Sequence, residues 1–406
     1  MKKIFLVLSL VTIINISFAQ KIFAFAPLKG LGAWYGKSNF KNMLMDVNLS
    51  WFYAWGINGN FLNNIENPTG IRNIPQFSAG LFNTTNNDLD NLVKGVVLNP
   101  LDPTHPRQGL YWLIGNEPDM GNNTASDGYY SIPTPTPKLN DNIDAAFLAL
   151  QYSRAFNLIK KYDHQAKIIF GGMGRLAEHQ TASISMAERL MSEWQKIYGH
   201  PLKNDITGWH IHYYGCCNWA LAMNPPEERD FELSINIWKD WQNTNFPGTE
   251  TWLTEYGIRN STPPPKIENG SFTEEESHLR FMEATTNFIL NNQNTAYRID
   301  RYAWFPFRSD WQYPAQLFNI SDTAETITVF GQKYASLGNS PFKQLQTANR
   351  LFWYGSYPKD PTSLPLSNCK TISQNTRSLW HTLVRNFSPF SQILMTLETY
   401  YLSCLP

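Results

Sequence analysis

Short apolar runs alternate with longer stretches of helical periodicity along most of this chain. Strand-like runs occupy residues 27–36 (PLKGLGAWYG), 46–59 (DVNLSWFYAWGING), 70–80 (GIRNIPQFSAG), 110–114, 167–172 (KIIFGG), 206–215 (ITGWHIHYYG), 250–257 (ETWLTEYG) and 299–307 (IDRYAWFPF). The run at 110–114 is too short for a helix and too apolar for a loop. Between the runs lie helical patterns. From about Asp144 to Tyr162, Leu148, Tyr152, Ala155, Phe156 and Ile159 fall on one stripe, the spacing of a helix packed against a sheet. Further helices are predicted around MAERLMSEWQKIYG (186–199), FTEEESHLRFMEATTNFIL (272–290) and GQKYASLG (331–338). Eight strands alternating with helices predict an α/β chain with a parallel sheet, a (β/α)8 TIM barrel. Pro75 makes the third strand the least regular, since proline cannot donate to a ladder.

Two strands end on a carboxylate. Leu110 to Ile114 runs into Gly115, Asn116, Glu117 and Pro118, and Trp252 and Leu253 lead to Glu255 and Gly257. In a parallel barrel the chemistry collects at the C-terminal lips of the strands, so glutamates at the ends of the fourth and seventh suggest a catalytic pair. With a period of two, Trp51, Tyr53 and Trp55 share one face of the second strand, and His210, His212 and Tyr214 one face of the sixth. Trp55, nearest the strand end, is a candidate sugar platform, whereas Trp51 is expected to pack. Two histidines at i and i+2 lack a third ligand motif, so hydrogen bonding beside the carboxylates is the favoured role over metal binding. The polar loop at 119–141 lies at the mouth of the expected site, and Trp304 near the rim.

Residues 1–19 combine Lys2 and Lys3, an apolar core from Ile4 to Ile14, and the small Ser17 and Ala19. That is the pattern of a secretory signal peptide, which predicts an exported extracellular, periplasmic or cell-surface protein. No later segment holds the roughly 18 unbroken apolar residues of a membrane span. With 33 basic and 33 acidic residues, the composition lacks the basic surface that nucleic acid or an anionic membrane would select. Aromatic residues make up 14% of the chain, and such flat side chains suit the apolar faces of sugar rings. No organic cofactor is implied: GGMGR at 171–175 lacks the spacing of a dinucleotide loop. Cys216, Cys217, Cys369 and Cys404 allow three pairings and match no zinc or redox motif. Residues 341–406 follow neither periodicity and form an unassigned tail after a catalytic unit of residues 20–340.

Five motifs in order, W-x-Y-x-W at Trp51–Trp55, GNEPD at Gly115–Asp119, HYYG at His212–Gly215, WLTEYG at Trp252–Gly257 and RYAWF at Arg301–Phe305, resemble glycoside hydrolase family 128 of clan A. The resemblance covers about residues 28–340. It implies a (β/α)8 barrel cleaving β-1,3-glucan with retention, Glu117 as acid/base and Glu255 as nucleophile, and no cofactor or metal. Asn116 would bind the sugar 2-hydroxyl, Tyr214 and His212 would orient Glu255, and Trp55 and Trp304 would offer stacking surfaces. Ala54 stands where the pattern has Asn. Other clan A enzymes acting on mannan, galactan or xylan share both glutamates, and a non-catalytic glycan-binding barrel would keep the aromatics.

Overall fold

The structure, a computed structural model, describes residues 28–33, 40–57, 65, 71–78, 81, 84–98, 106–120, 145–176, 180–215, 227–258, 274–307, 315–320 and 325–338. The predicted signal peptide, most of the 119–141 loop, all four cysteines and the 341–406 tail lie outside them.

The strands are β1 (Leu28–Leu31), β2 (Trp51–Phe52), β3 (Arg72–Asn73), β4 (Gln76–Phe77), β5 (Tyr111–Ile114), β6 (Lys167–Met173), β7 (Gly208–Gly215), β8 (Glu250–Ile258) and β9 (Arg301–Trp304), followed by a hairpin of β10 (Phe318–Ile320) and β11 (Glu325–Ile327). The helices are α1 (Phe40–Asp46), α2 (Asn86–Val97), α3 (Ala145–Tyr162), α4 (Gln180–Tyr198), α5 (Glu227–Asn245), α6 (Glu274–Asn291) and α7 (Val329–Ser336). Seven strands form one parallel sheet in the order β1-β9-β8-β7-β6-β5-β4, and β2 pairs with β3. Backbone bonds continue from β1 to β2, where Ser50 N donates to Lys29 O at 2.9 Å and Tyr53 N to Leu31 O at 3.1 Å. Pro75 separates β3 from β4, and its carbonyl still accepts Leu113 N–H at 3.0 Å.

Side-chain parity divides the core in two. Trp51, Tyr53, Ile74, Leu113, Ile169, Trp252 and Ala303 form one buried cluster. Their sequence neighbours Phe52, Trp112, Ile168, Phe170, Leu253, Tyr302 and Trp304 belong to a second, shared with residues of the helices. That alternation is what a period-two strand with both faces covered requires.

The first strand is tied to the last helix by a buried lysine. Lys29 Nζ donates to Tyr334 O at 2.8 Å, Leu337 O at 3.1 Å and Ala335 O at 3.4 Å. These carbonyls close α7, where a cation complements both the open acceptors and the helix dipole. Lys29→Met keeps the apolar stem and removes the charge. It should lower stability by about 2–3 kcal/mol, read as an earlier urea midpoint by tryptophan fluorescence with an unchanged slope.

Candidate active site

Glu255 faces inward because β8 breaks its own alternation. Trp252 turns into the inner cluster and Leu253 away from it. The register of β8 then shifts against β7 after the Ile211–Leu253 pair and against β9 between Leu253 and Tyr256. Across this bulge two consecutive side chains share the inner face. Thr254 Oγ1 lies 3.1 Å from His210 Nδ1, and Glu255 follows it. Strict alternation would have sent Glu255 toward the helices; a bulge re-aims it. Three donors hold the carboxylate. Tyr53 OH and Trp55 Nε1–H donate to Oε1 at 2.7 and 2.9 Å, and Tyr214 OH donates to Oε2.

Glu117 reaches the same place from the turn after β5. Gly115 has φ +103°, and a Cβ there would stand 2.4 Å from Gly171 O, so only glycine lets the chain pass this close to β6. Glu117 itself is left-handed at φ 51°, which costs a non-glycine residue about 1–2 kcal/mol. Its N–H donates to Gly172 O at 2.7 Å, which holds it there. Burial raises the pKa of Glu117; His212 opposes this, and the charges of Glu255 and Asp119 reinforce it. The net direction is upward, which favours a protonated carboxyl.

His212 stands between the two. Its Nδ1 is 3.1 Å from Glu117 Oε1 and 3.5 Å from Glu255 Oε2, while the ring is fully buried. Burial opposes a charge on His212, but Glu255 and Glu117 outweigh it and raise its pKa. The geometry requires hydrogen on Nδ1, which faces acceptors on both sides. Nε2 has no partner among the described residues, so a second hydrogen would be buried unpaired. The neutral Nδ1–H tautomer satisfies both conditions. His210 is neutral as well, its pKa pressed well down by burial, with Nε2 3.4 Å from Ile114 O.

One ligand atom each from Glu117, His212 and Glu255 lies within 4.8 Å of the others, a spacing a cation could use. The donor set does not fit one. Glu255 already accepts from two tyrosines and a tryptophan, which occupy the lone pairs a cation would take. The arrangement is a pair of buried carboxyls held by hydrogen bonds.

No protein-family profile matches the chain, and no curated protein matches it either. Solved structures do. A family 128 subgroup I endo-β-1,3-glucanase from Amycolatopsis mediterranei, in complex with laminaripentaose, is 16% identical over 77% of this chain and 99% of its own, with a TM-score of 0.48. A glucosidase from Croceicoccus marinus is 12% identical over 69% of this chain and 61% of its own, with a TM-score of 0.45. A β-xylosidase from Caulobacter crescentus is 10% identical over 72% and 62%, with a TM-score of 0.43.

Of the residues singled out by sequence, Glu117, Glu255, His212, Tyr214 and Trp55 meet in one hydrogen-bonded cluster. Asn116 adjoins it, its Oδ1 3.4 Å from Gln76 Nε2. Trp55 remains partly exposed while its indole N–H reaches Glu255. Trp304 corrects the expectation. It is fully buried, its indole Nε1–H donates to Ala315 O at 2.9 Å, and its ring packs on Tyr256 and Tyr334. Parity is the reason: Ala303 takes the inner position on β9, so Trp304 faces the helices and is core. Sequence reading also passed over Tyr53 and Asp119. Tyr53 shares the Trp51–Trp55 face and Asp119 closes the GNEPD motif, so both carried a readable signal.

Proposed function

We propose that this chain is an exported retaining glycoside hydrolase cleaving β-1,3-glucan, built on a (β/α)8 barrel within residues 20–340. The observation that carries the reading is the pair Glu117 and Glu255, with carboxylate oxygens within 4.8 Å across a shared imidazole. Retaining enzymes hold their carboxyls about 5–5.5 Å apart, and inverting ones leave about 6.5–9.5 Å for a water. Barrel closure is supported by the ladder bonds linking β1 to β2 and β2 to β3, with β3 and β4 acting as one strand broken at Pro75. Export is supported by the leader pattern of residues 1–19, and the glucan by the five ordered motifs.

In this mechanism a Glu255 oxygen attacks the anomeric carbon while Glu117 delivers its proton to the departing glycosidic oxygen. The carboxylate becomes a neutral ester, and with its charge gone the pKa of Glu117 falls. Glu117 then removes a proton from water, which attacks the same carbon and releases Glu255. His212 Nδ1 lies within 3.5 Å of both carboxyls, so its hydrogen can serve whichever is charged at each stage. Asn116 would hold the 2-hydroxyl, a contact that strengthens in the transition state.

The test is digestion of a soluble β-1,3-glucan followed at early times by proton NMR. The expected first product is the β-anomer. An α-anomer would overturn retention, and turnover of mannan, galactan or xylan with none of glucan would overturn the substrate.

A further inference from the structure

We propose that Asp119 is a positioning residue for Glu117: its carboxylate staples the turn carrying the acid/base to the end of β6 and to α4, and so sets where the Glu117 carboxyl stands. The proposal rests on the acid/base reading of Glu117.

Asp119 is buried, and all its described contacts are donors from other elements. Oδ1 accepts Gly174 N–H at 2.8 Å; Oδ2 accepts Arg175 N–H at 3.0 Å and the buried Ser183 hydroxyl of α4 at 2.5 Å. Gly174 is also what the acid/base side chain lies against, since a Cβ there would meet Glu117 Cγ at 2.9 Å and Cδ at 3.1 Å. The residue gripped by Asp119 is therefore the one that bounds the Glu117 side chain. Among the described residues the Glu117 backbone is held by Gly172 O of β6 and by Met120 N–H at 3.0 Å. Its carboxyl is met by His212 Nδ1 at 3.1 Å and bounded by the wall that Asp119 holds.

Charge adds a second effect. No basic side chain forms an ion pair with Asp119 among the described residues, so its negative charge acts on its surroundings. Among the described residues the titratable groups facing Glu117 are His212 on β7, Glu255 on β8, Tyr53 just after β2 and Asp119 two residues on, and Asp119 pushes the pKa of Glu117 upward. An asparagine would keep the size, lose the charge, and turn an N–H₂ toward donors.

The test uses Asp119→Asn and the milder Ser183→Ala in the full chain, on two substrates. Soluble β-1,3-glucan needs leaving-group protonation, whereas 2,4-dinitrophenyl β-laminaribioside does not. For Asp119→Asn, kcat/KM on glucan should fall about 10- to 100-fold and on the dinitrophenyl substrate less than about threefold. Ser183→Ala should show the same selectivity with a glucan loss of about 3- to 10-fold. Carboxyl-carbon NMR of glutamate-labelled protein, with Glu117→Gln to assign the resonance, should show the Glu117 midpoint lower in Asp119→Asn than in wild type. Equal losses on both substrates, or an unmoved midpoint in folded Asp119→Asn, would overturn the proposal. If wild type cleaves neither substrate, the glucanase reading fails and the NMR titration still decides what Asp119 does to Glu117. If Asp119→Asn does not fold, the substrate selectivity of Ser183→Ala decides.

Discussion

Glu255→Gln should reduce turnover of β-1,3-glucan by on the order of 10⁴-fold or more, the scale on which losing a nucleophile is felt, equivalent to at least about 5.4 kcal/mol of transition-state stabilisation. The variant should fold. Trp55 Nε1–H, which can only donate, selects the amide oxygen for the Oε1 position, and the amide N–H₂ then faces Tyr214, whose hydroxyl can rotate to accept it. The cluster around the residue survives while the attacking oxygen is gone. Oligosaccharide binding should therefore stay within about tenfold of wild type, because the lost interaction is made chiefly in the transition state. Reducing-sugar release beside calorimetric titration of a laminari-oligosaccharide separates the two effects. Activity within tenfold of wild type would exclude Glu255 as the nucleophile.

The strand framework was legible because buried parallel strands are short and nearly all apolar, and the runs at 110–114, 167–172 and 250–257 meet that description. The two glutamates were legible because each interrupts such a run. The inward turn of Glu255 was not: it depends on the bulge after Leu253, and nothing in WLTEYG marks where two successive residues share a face. Trp304 failed for the related reason that aromatic residues line both faces of these strands, so identity does not reveal parity. Helix α2 went unread although its start is written locally, with Thr85 Oγ1 accepting Asp88 N–H and Leu89, Val93 and Val96 buried at helical spacing. Helix α5 is harder. Its buried face includes Lys239, whose Nζ donates to Thr251 Oγ1 at 2.7 Å, and Gln242, bonded to Trp238, Thr249 and Thr251. Partners on β8 and the residues before it make those polar positions stable inside, and an apolar stripe cannot report partners distant in sequence.

Glu117→Ala should lower kcat on glucan by about 10²- to 10⁴-fold, the range for losing a general acid, with a pattern that identifies the role. On 2,4-dinitrophenyl β-laminaribioside the first step needs no proton, so kcat/KM should fall far less. The second step lacks its base, so the glycosyl-enzyme ester on Glu255 should accumulate as a burst of dinitrophenolate. Azide, small and already anionic, can enter the space left by the side chain and attack the anomeric carbon, displacing the Glu255 carboxylate. The product should be the β-glycosyl azide, with faster turnover. The pH dependence has a fixed sign. Burial raises the Glu117 pKa, and catalysis on glucan needs the protonated form, so wild-type kcat/KM should be retained below that pKa and lost as pH rises through it. In Glu117→Ala on the dinitrophenyl substrate this basic limb should be absent. An α-configured azide would point to inversion, and a basic limb unchanged in the alanine variant would assign the titration to another group, His212 being the nearest.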